Sequence, residues 1–166
     1  MSQFLRPDSN VTQTNFTNGF AEIDETSASE ADYAYGANNS SAVLEVGLSN
    51  PGGTPGAGTC TVRYRIAKST NGSIVSSGTG VATYCHVYQG GTLIASDGPK
   101  TPTGTWTSYS FTPDLSGVTD WNDLRLRFTC DSAAVGVVRN VAVSWAEIEV
   151  PDAAPTATPR SFGIVF

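Results

Sequence analysis

The feature that most constrains this chain is an alternation with period two, which recurs along its length while a helical period of 3.6 is almost absent. In VATYCHVYQGGTLIAS, residues 81–96, Val81, Thr83, Cys85 and Val87 fall on one side and Ala82, Tyr84, His86 and Tyr88 on the other. Successive side chains of a strand point to opposite faces, and the Gly90-Gly91 pair tolerates the positive φ of a tight turn. The stretch therefore predicts a β-hairpin with a small, aliphatic face for a core. Its other face carries two tyrosines and the only histidine in the chain, heavy decoration for a surface meant for water alone.

The same pattern continues on both sides of the hairpin. In CTVRYRIA, residues 60–67, Cys60, Val62, Tyr64 and Ile66 point inward and Arg63 and Arg65 outward. Residues 42–48 set Ala42, Leu44, Val46 and Leu48 against Val43, Glu45 and Gly47, and DLRLRFTC, residues 123–130, sets Leu124, Leu126, Phe128 and Cys130 against Arg125 and Arg127. TWTSYSFT, residues 105–112, reads as a further strand. NVAVSWAEIEV, residues 140–150, changes phase: Val141, Val143 and Trp145 favour one face, Ala146, Ile148 and Val150 the other. A one-residue bulge at 144–146 reconciles the two halves, because an extra residue switches the face of everything after it. Val62, Tyr64, Ile66, Cys85, Val87, Leu126 and Phe128 are expected to share one core.

Breaker-rich loops separate these runs, notably NPGGTPGAG at 50–58 and the crossing segment 113–120. Upstream, residues 10–16 and 20–23 read as extended, and 24–36 as a turn or one helical turn leading into a strand. Seven or eight short strands predict an all-β fold, an antiparallel β-sandwich of jelly-roll type over residues 21–150. An N-terminal arm is expected at 1–20, and a Pro-rich linker with an apolar arm at 151–166. That last segment, PDAAPTATP followed by RSFGIVF, places Phe162, Ile164, Val165 and Phe166 where water is a poor solvent for them. They either fold back on their own domain or dock on another subunit.

Charge and motif content narrow the function. Only 14% of residues are charged and the net charge is −6, which disfavours a surface that tracks phosphates, so nucleic acid is not an expected partner. No apolar run has the length of a signal peptide or a bilayer span, so the expectation is a protein made in a cytoplasm that stays soluble, without a membrane partner. Cys60, Cys85 and Cys130 lie singly in strand-like runs and read as buried free thiols. No nucleophile elbow, P-loop, HExxH or EF-hand spacing is present, no Asp/Asn cluster supports calcium, and neither metal nor cofactor is expected. Asp24, Glu25, Asp123, Glu147 and Glu149 are the carboxylates a hydrolase would need to converge. Glu147 and Glu149 have a simpler use as cross-strand partners of Arg63 and Arg65 or of Arg125 and Arg127. Trp106 and Trp121 read as packing at the sandwich edge. Tyr84, His86 and Tyr88 read either as a face packed on the N-terminal arm or a neighbouring subunit, or as a platform on which sugar rings stack.

The succession VRYRIAKS, VYQGGTLIAS, TWTSYSFTPDLSGVTDWNDLRLRF and VAVSWAEIEVP, opened by LRPDSNV and AEIDETSASEADY, resembles a module of structural proteins in tailed-bacteriophage virions. Its sandwich is similar to carbohydrate-binding and galactose-binding-like jelly rolls. The resemblance covers nearly the whole chain up to Pro151. It implies a virion context and a fold rather than a chemistry: a non-enzymatic decoration or cement protein, contacting the major capsid protein or neighbouring structural subunits and self-associating. A carbohydrate-binding module directed at host-surface glycans is the alternative. Tyr84, His86 and Tyr88 stand where that module would carry a more ordinary polar face.

Overall fold

A computed structural model of the chain describes residues 2–131 and 138–153. In chain order the strands are β1 (Ser2–Leu5), β2 (Pro7–Thr14), β3 (Phe16–Thr17), β4 (Ala34–Gly36), β5 (Ala42–Leu48), β6 (Thr61–Thr70) and β7 (Ser73–Ile74). They continue with β8 (Thr79–Gly80), β9 (Thr83–Gln89), β10 (Thr92–Lys100), β11 (Thr107–Phe111), β12 (Leu124–Cys130) and β13 (Val138–Pro151). The long strands form two antiparallel sheets packed face to face, the all-β sandwich that the alternation predicts. One sheet runs β10-β9-β12-β5-β2; the other runs β11-β6-β13-β4-β3, with β1 on β13 and β7 on β6. Tiny β8 pairs in parallel with the start of β13. Among the described residues no helix is long and apolar enough to cross a membrane.

All seven expected core residues are buried in one cluster. Phe128 meets Tyr64 edge-on with ring centroids 5.7 Å apart, so the two sheets touch through aromatic rings near the middle of the sandwich. Cys60, Cys85 and Cys130 are buried free thiols. The predicted bulge is present: the β13–β6 register shifts between Val143 and Trp145, which turns Trp145 outward while Val143 and Ala146 both stay in the core. In the hairpin, Gly90 takes φ +56 as β9 turns into β10. Where β10 and β11 end their sheets side by side, the Tyr64 hydroxyl donates to Asp97 Oδ2 at 2.7 Å and Lys100 Nζ pairs with Asp97 Oδ1 at 3.0 Å. Burial, and then the bond to Asp97, push the Tyr64 phenol far above its ordinary range.

Two expectations are corrected. Residues 2–17, within the stretch expected as an arm, lie in the sandwich: β1 pairs with β13 through Ser2–Pro151 to Leu5–Ile148, β2 pairs with β5 through Pro7–Leu48 to Thr14–Val43, and β3 pairs with β4. The physical reason is that β13 and β5 each have one side whose backbone donors and acceptors need partners, and Leu5 and Phe16 bring apolar groups that become buried in the process. Residues 20–23 are not extended, since Phe20–Glu22 is one turn of 3-10 helix, with Gly19 N–H donating to the Glu22 carboxylate at 2.9 Å. Residues 24–33 bend without a helical turn and lead into the strand Ala34–Gly36, in line with the expectation for that stretch. Phe162, Ile164, Val165 and Phe166, with the linker before them, lie outside the described residues.

Candidate functional site

Pairing register assembles the outer face of the five-stranded sheet row by row. One row crosses the sheet through Ser96, His86, Arg127, Glu45 and Thr12; the next passes through Leu93, Tyr88, Arg125, Gly47 and Ser9. Tyr84 stands beside Thr129, which stands beside Val43. Period two along β9 thus brings Tyr84, His86 and Tyr88 together on one half-buried face, with Cys85 and Val87 turned into the core.

The three rings are already engaged. Tyr84 and His86 lie nearly parallel, 9° apart with centroids at 5.8 Å, and Tyr88 meets His86 edge-on at 6.2 Å. The Arg127 guanidinium covers the Tyr88 ring at 3.9 Å from its centroid. His86 Nδ1 is 2.7 Å from Ser96 Oγ and Nε2 is 2.9 Å from Thr129 Oγ1. Hydroxyls can donate or accept, so either neutral tautomer is satisfied at both nitrogens. Burial first, and the Arg127 charge second, push the imidazole below its ordinary range. The ring is held neutral and oriented rather than presented as a free base.

Glu45 organises this face, and sequence reasoning assigned it no role. Its side chain is 1% exposed although it stands on the solvent side of the sheet, because Arg125 and Arg127 close over it. Arg127 Nε donates to Glu45 Oε2 at 2.6 Å and Arg125 Nη1 to Oε1 at 3.2 Å, while Arg125 Nη2 also reaches Asp123 Oδ1 at 2.8 Å. Glu45 and Asp123 balance the two guanidiniums, and Asp8 beside Gly47 adds a further carboxylate at the edge of the face. The available signal was a lone acid in LEVGL and two arginines at i and i+2 in LRLRF, which becomes informative only once β5 is known to pair with β12.

On the opposite sheet Glu147 accepts from Arg63 at 3.2 Å and from Arg6 at 2.9 Å, Glu149 also pairs with Arg63, and Arg65 pairs with Glu30. Arg63 is therefore the partner of both glutamates. Arg65 is not their partner, and neither are Arg125 and Arg127, which face outward from the other sheet. Asp24, Glu25, Asp123, Glu147 and Glu149 do not converge: Glu147 and Glu149 lie on β13, Asp123 precedes β12, and the first two belong to the segment after the 3-10 turn. Among the described residues no three His, Cys, Asp or Glu side chains gather as metal ligands. Trp106 packs edge-on against Tyr33 with centroids 5.3 Å apart, whereas Trp121 packs on the core and also forms part of the walls of two surface grooves.

Fold and face together define an antiparallel all-β sandwich with an ion-paired aromatic sheet surface. No protein-family model and no curated protein matches the chain. Among solved structures, the Stig cyclase Fisc from Fischerella sp. TAU, in complex with (3Z)-3-(1-methyl-2-pyrrolidinylidene)-3H-indole, is similar over 86% of this chain and 90% of its own. The identity is 11% and the TM-score 0.45.

Proposed function

We propose that the protein is a non-enzymatic structural component of a tailed-bacteriophage virion, a decoration or cement protein held on the particle by contacts with the major capsid protein or with neighbouring copies. The virion context rests on the resemblance of the chain's segments to such modules. The observation that carries the structural role is the state of the Tyr84, His86 and Tyr88 face. A sugar platform needs open ring faces, whereas here Tyr84 and His86 stack on one another and Arg127 covers Tyr88. What remains is a surface of ring edges, hydroxyls and internally paired arginines, flanked by Leu93 at 51% exposure, which suits packing against protein. A second mount is the apolar segment with Phe162, Ile164, Val165 and Phe166.

The test compares co-sedimentation with purified particles lacking the protein for the full chain, for a chain without residues 159–166, and for Leu93→Asp, with circular dichroism melts for each. Retained melting with reduced occupancy in either variant supports the reading. Failure of the intact chain to bind particles at any concentration overturns it. The second reading, a carbohydrate-binding module for host-surface glycans, is favoured by the grooves beside Trp121.

A further inference from the structure

At one end of the sandwich the loop between β5 and β6 faces the loop between β11 and β12 across two grooves. The larger, about 630 Å³, lies between residues 55–60 and 112–121; the smaller, about 390 Å³, lies between residues 51–55 and 119–122. Both volumes fall in the range of small-ligand sites. Trp121 belongs to the walls of both, so this partly buried residue lies between the two concavities.

The loop that carries Trp121 is fixed in place. Gln89, at the tip of the central hairpin, accepts from the backbone N–H groups of Thr119 and Asp120 at 2.8 and 3.3 Å and donates to Thr119 Oγ1 at 3.0 Å. Asp120 caps the 3-10 turn Trp121–Asp123 by accepting from Asn122 N–H at 3.0 Å, and Gly90 N–H donates to Asp123 O at 3.0 Å. Beneath, Trp121 and Val118 pack on the core. A ligand pays little to order such a site, because the loop is ordered already.

The lining selects a chemistry. Asp114 and Asp120 are the charged groups among the described walls, and no lysine or arginine lines either groove. Hydrogen bonds from Ser116 hold the Asp114 carboxyl below the usual carboxylate range, so it remains an acceptor at neutral pH. Threonine and serine hydroxyls and the backbone of a Gly- and Pro-rich loop supply the rest. An anionic ligand meets like charge here. A neutral polyol meets an indole face for its C–H groups and fixed carboxylate acceptors for its hydroxyls.

We propose that Trp121 and the two grooves beside it bind a neutral oligosaccharide that crosses the indole, with a sugar unit in the concavity on each side. The inference rests on the second reading above and does not depend on the protein being mounted on a particle.

The experiment screens the full chain by isothermal titration against neutral hexasaccharides of the cello, xylo, manno, malto and chito series, with a sialylated and a sulfated oligosaccharide alongside. The tightest ligand is then titrated into Trp121→Ala, Trp121→Phe, Asp114→Asn and Asp120→Asn. Binding of at least one neutral member, weakened at least tenfold by Trp121→Ala and severalfold by the Asp variants, is the expected result. Because Trp121 also packs on the core, the surface Asp variants and Trp121→Phe, checked by urea melts, keep the test valid if Trp121→Ala fails to fold. If no neutral member binds more tightly than about 10 mM, this site falls, and if no oligosaccharide of the screen does, the glycan reading falls with it. If a glycan binds equally well to the folded Trp121 and Asp variants but is lost in Tyr88→Ala, the glycan reading stands and the site assigned here is wrong. Preference for the sialylated or sulfated ligand overturns the proposed chemistry.

Discussion

Replacing Glu45 with alanine isolates the contribution of the network that holds the aromatic sheet face. The carboxylate is 1% exposed, while Arg125 and Arg127 remain 27% and 29% exposed. Removing one partner of a fully buried pair costs about 3 to 5 kcal/mol, and a fully exposed pair contributes about 0.2 to 1 kcal/mol. Here a buried acceptor meets two donors still open to water, so Glu45→Ala should lose about 2 to 3 kcal/mol, between those limits. Urea denaturation at neutral pH, followed by circular dichroism, measures the loss. Arg127→Met and the double variant complete a cycle in which the Glu45–Arg127 coupling should be about 1 to 2 kcal/mol. Added salt should shrink that coupling only modestly, because burial limits screening. A loss below about 1 kcal/mol for Glu45→Ala, or a coupling near zero, would refute the reasoning and reduce the network to an ordinary surface pair.

Phe128→Ala opens a cavity beside Tyr64 at the centre of the core and should cost about 3 to 5 kcal/mol in the same denaturation assay; a loss below about 1 kcal/mol contradicts the inward placement of β12. The three cysteines should stay silent to a thiol reagent in the native protein and titrate as three free thiols in denaturant. Burial pushes the Cys130 thiol up to about 12 and the Cys85 thiol well above its ordinary value, so rapid native labelling of either, or a bridged pair by mass spectrometry, counts against this. His86 binds its proton less readily when folded than when unfolded, so its contribution to stability is fully present above about pH 6.5 and is lost as the pH falls below that value toward the lower folded one. Between about pH 7.5 and about pH 5 the wild-type chain should therefore lose more stability than His86→Gln, and an equal or smaller loss contradicts the assignment.

Faces were legible in the sequence because a strand's side chains obey a period of two without reference to its neighbours. Val62, Tyr64 and Ile66 point inward for the same reason that Arg63 and Arg65 do not. The break of phase between Val143 and Ala146 likewise exposed the bulge, since an unbroken strand would set the two on opposite faces. Neighbour relations were not legible. Glu45 gains its meaning from lying across from Arg127, and residues 2–14 from finding open sides on β13 and β5; both depend on pairings between segments far apart in the chain. Trp121 reads as packing for a related reason. Its indole does pack on the core, but the grooves on either side arise from two loops that nothing local brings together.

The placement of β13 orders events during synthesis. The strands of the five-stranded sheet are complete once Cys130 has emerged from the ribosome, whereas β1, β4 and β6 all pair with a strand that begins at Val138. For the time needed to translate β13, the nascent chain can hold one assembled sheet whose inner face, with Leu44, Val87, Leu126 and Phe128, lacks the central strand of its cover. β1 emerges first and waits longest for its partner. Closure over that face is therefore a late, long-range step, and the exposed sheet that precedes it is the species most open to chaperones or to self-association.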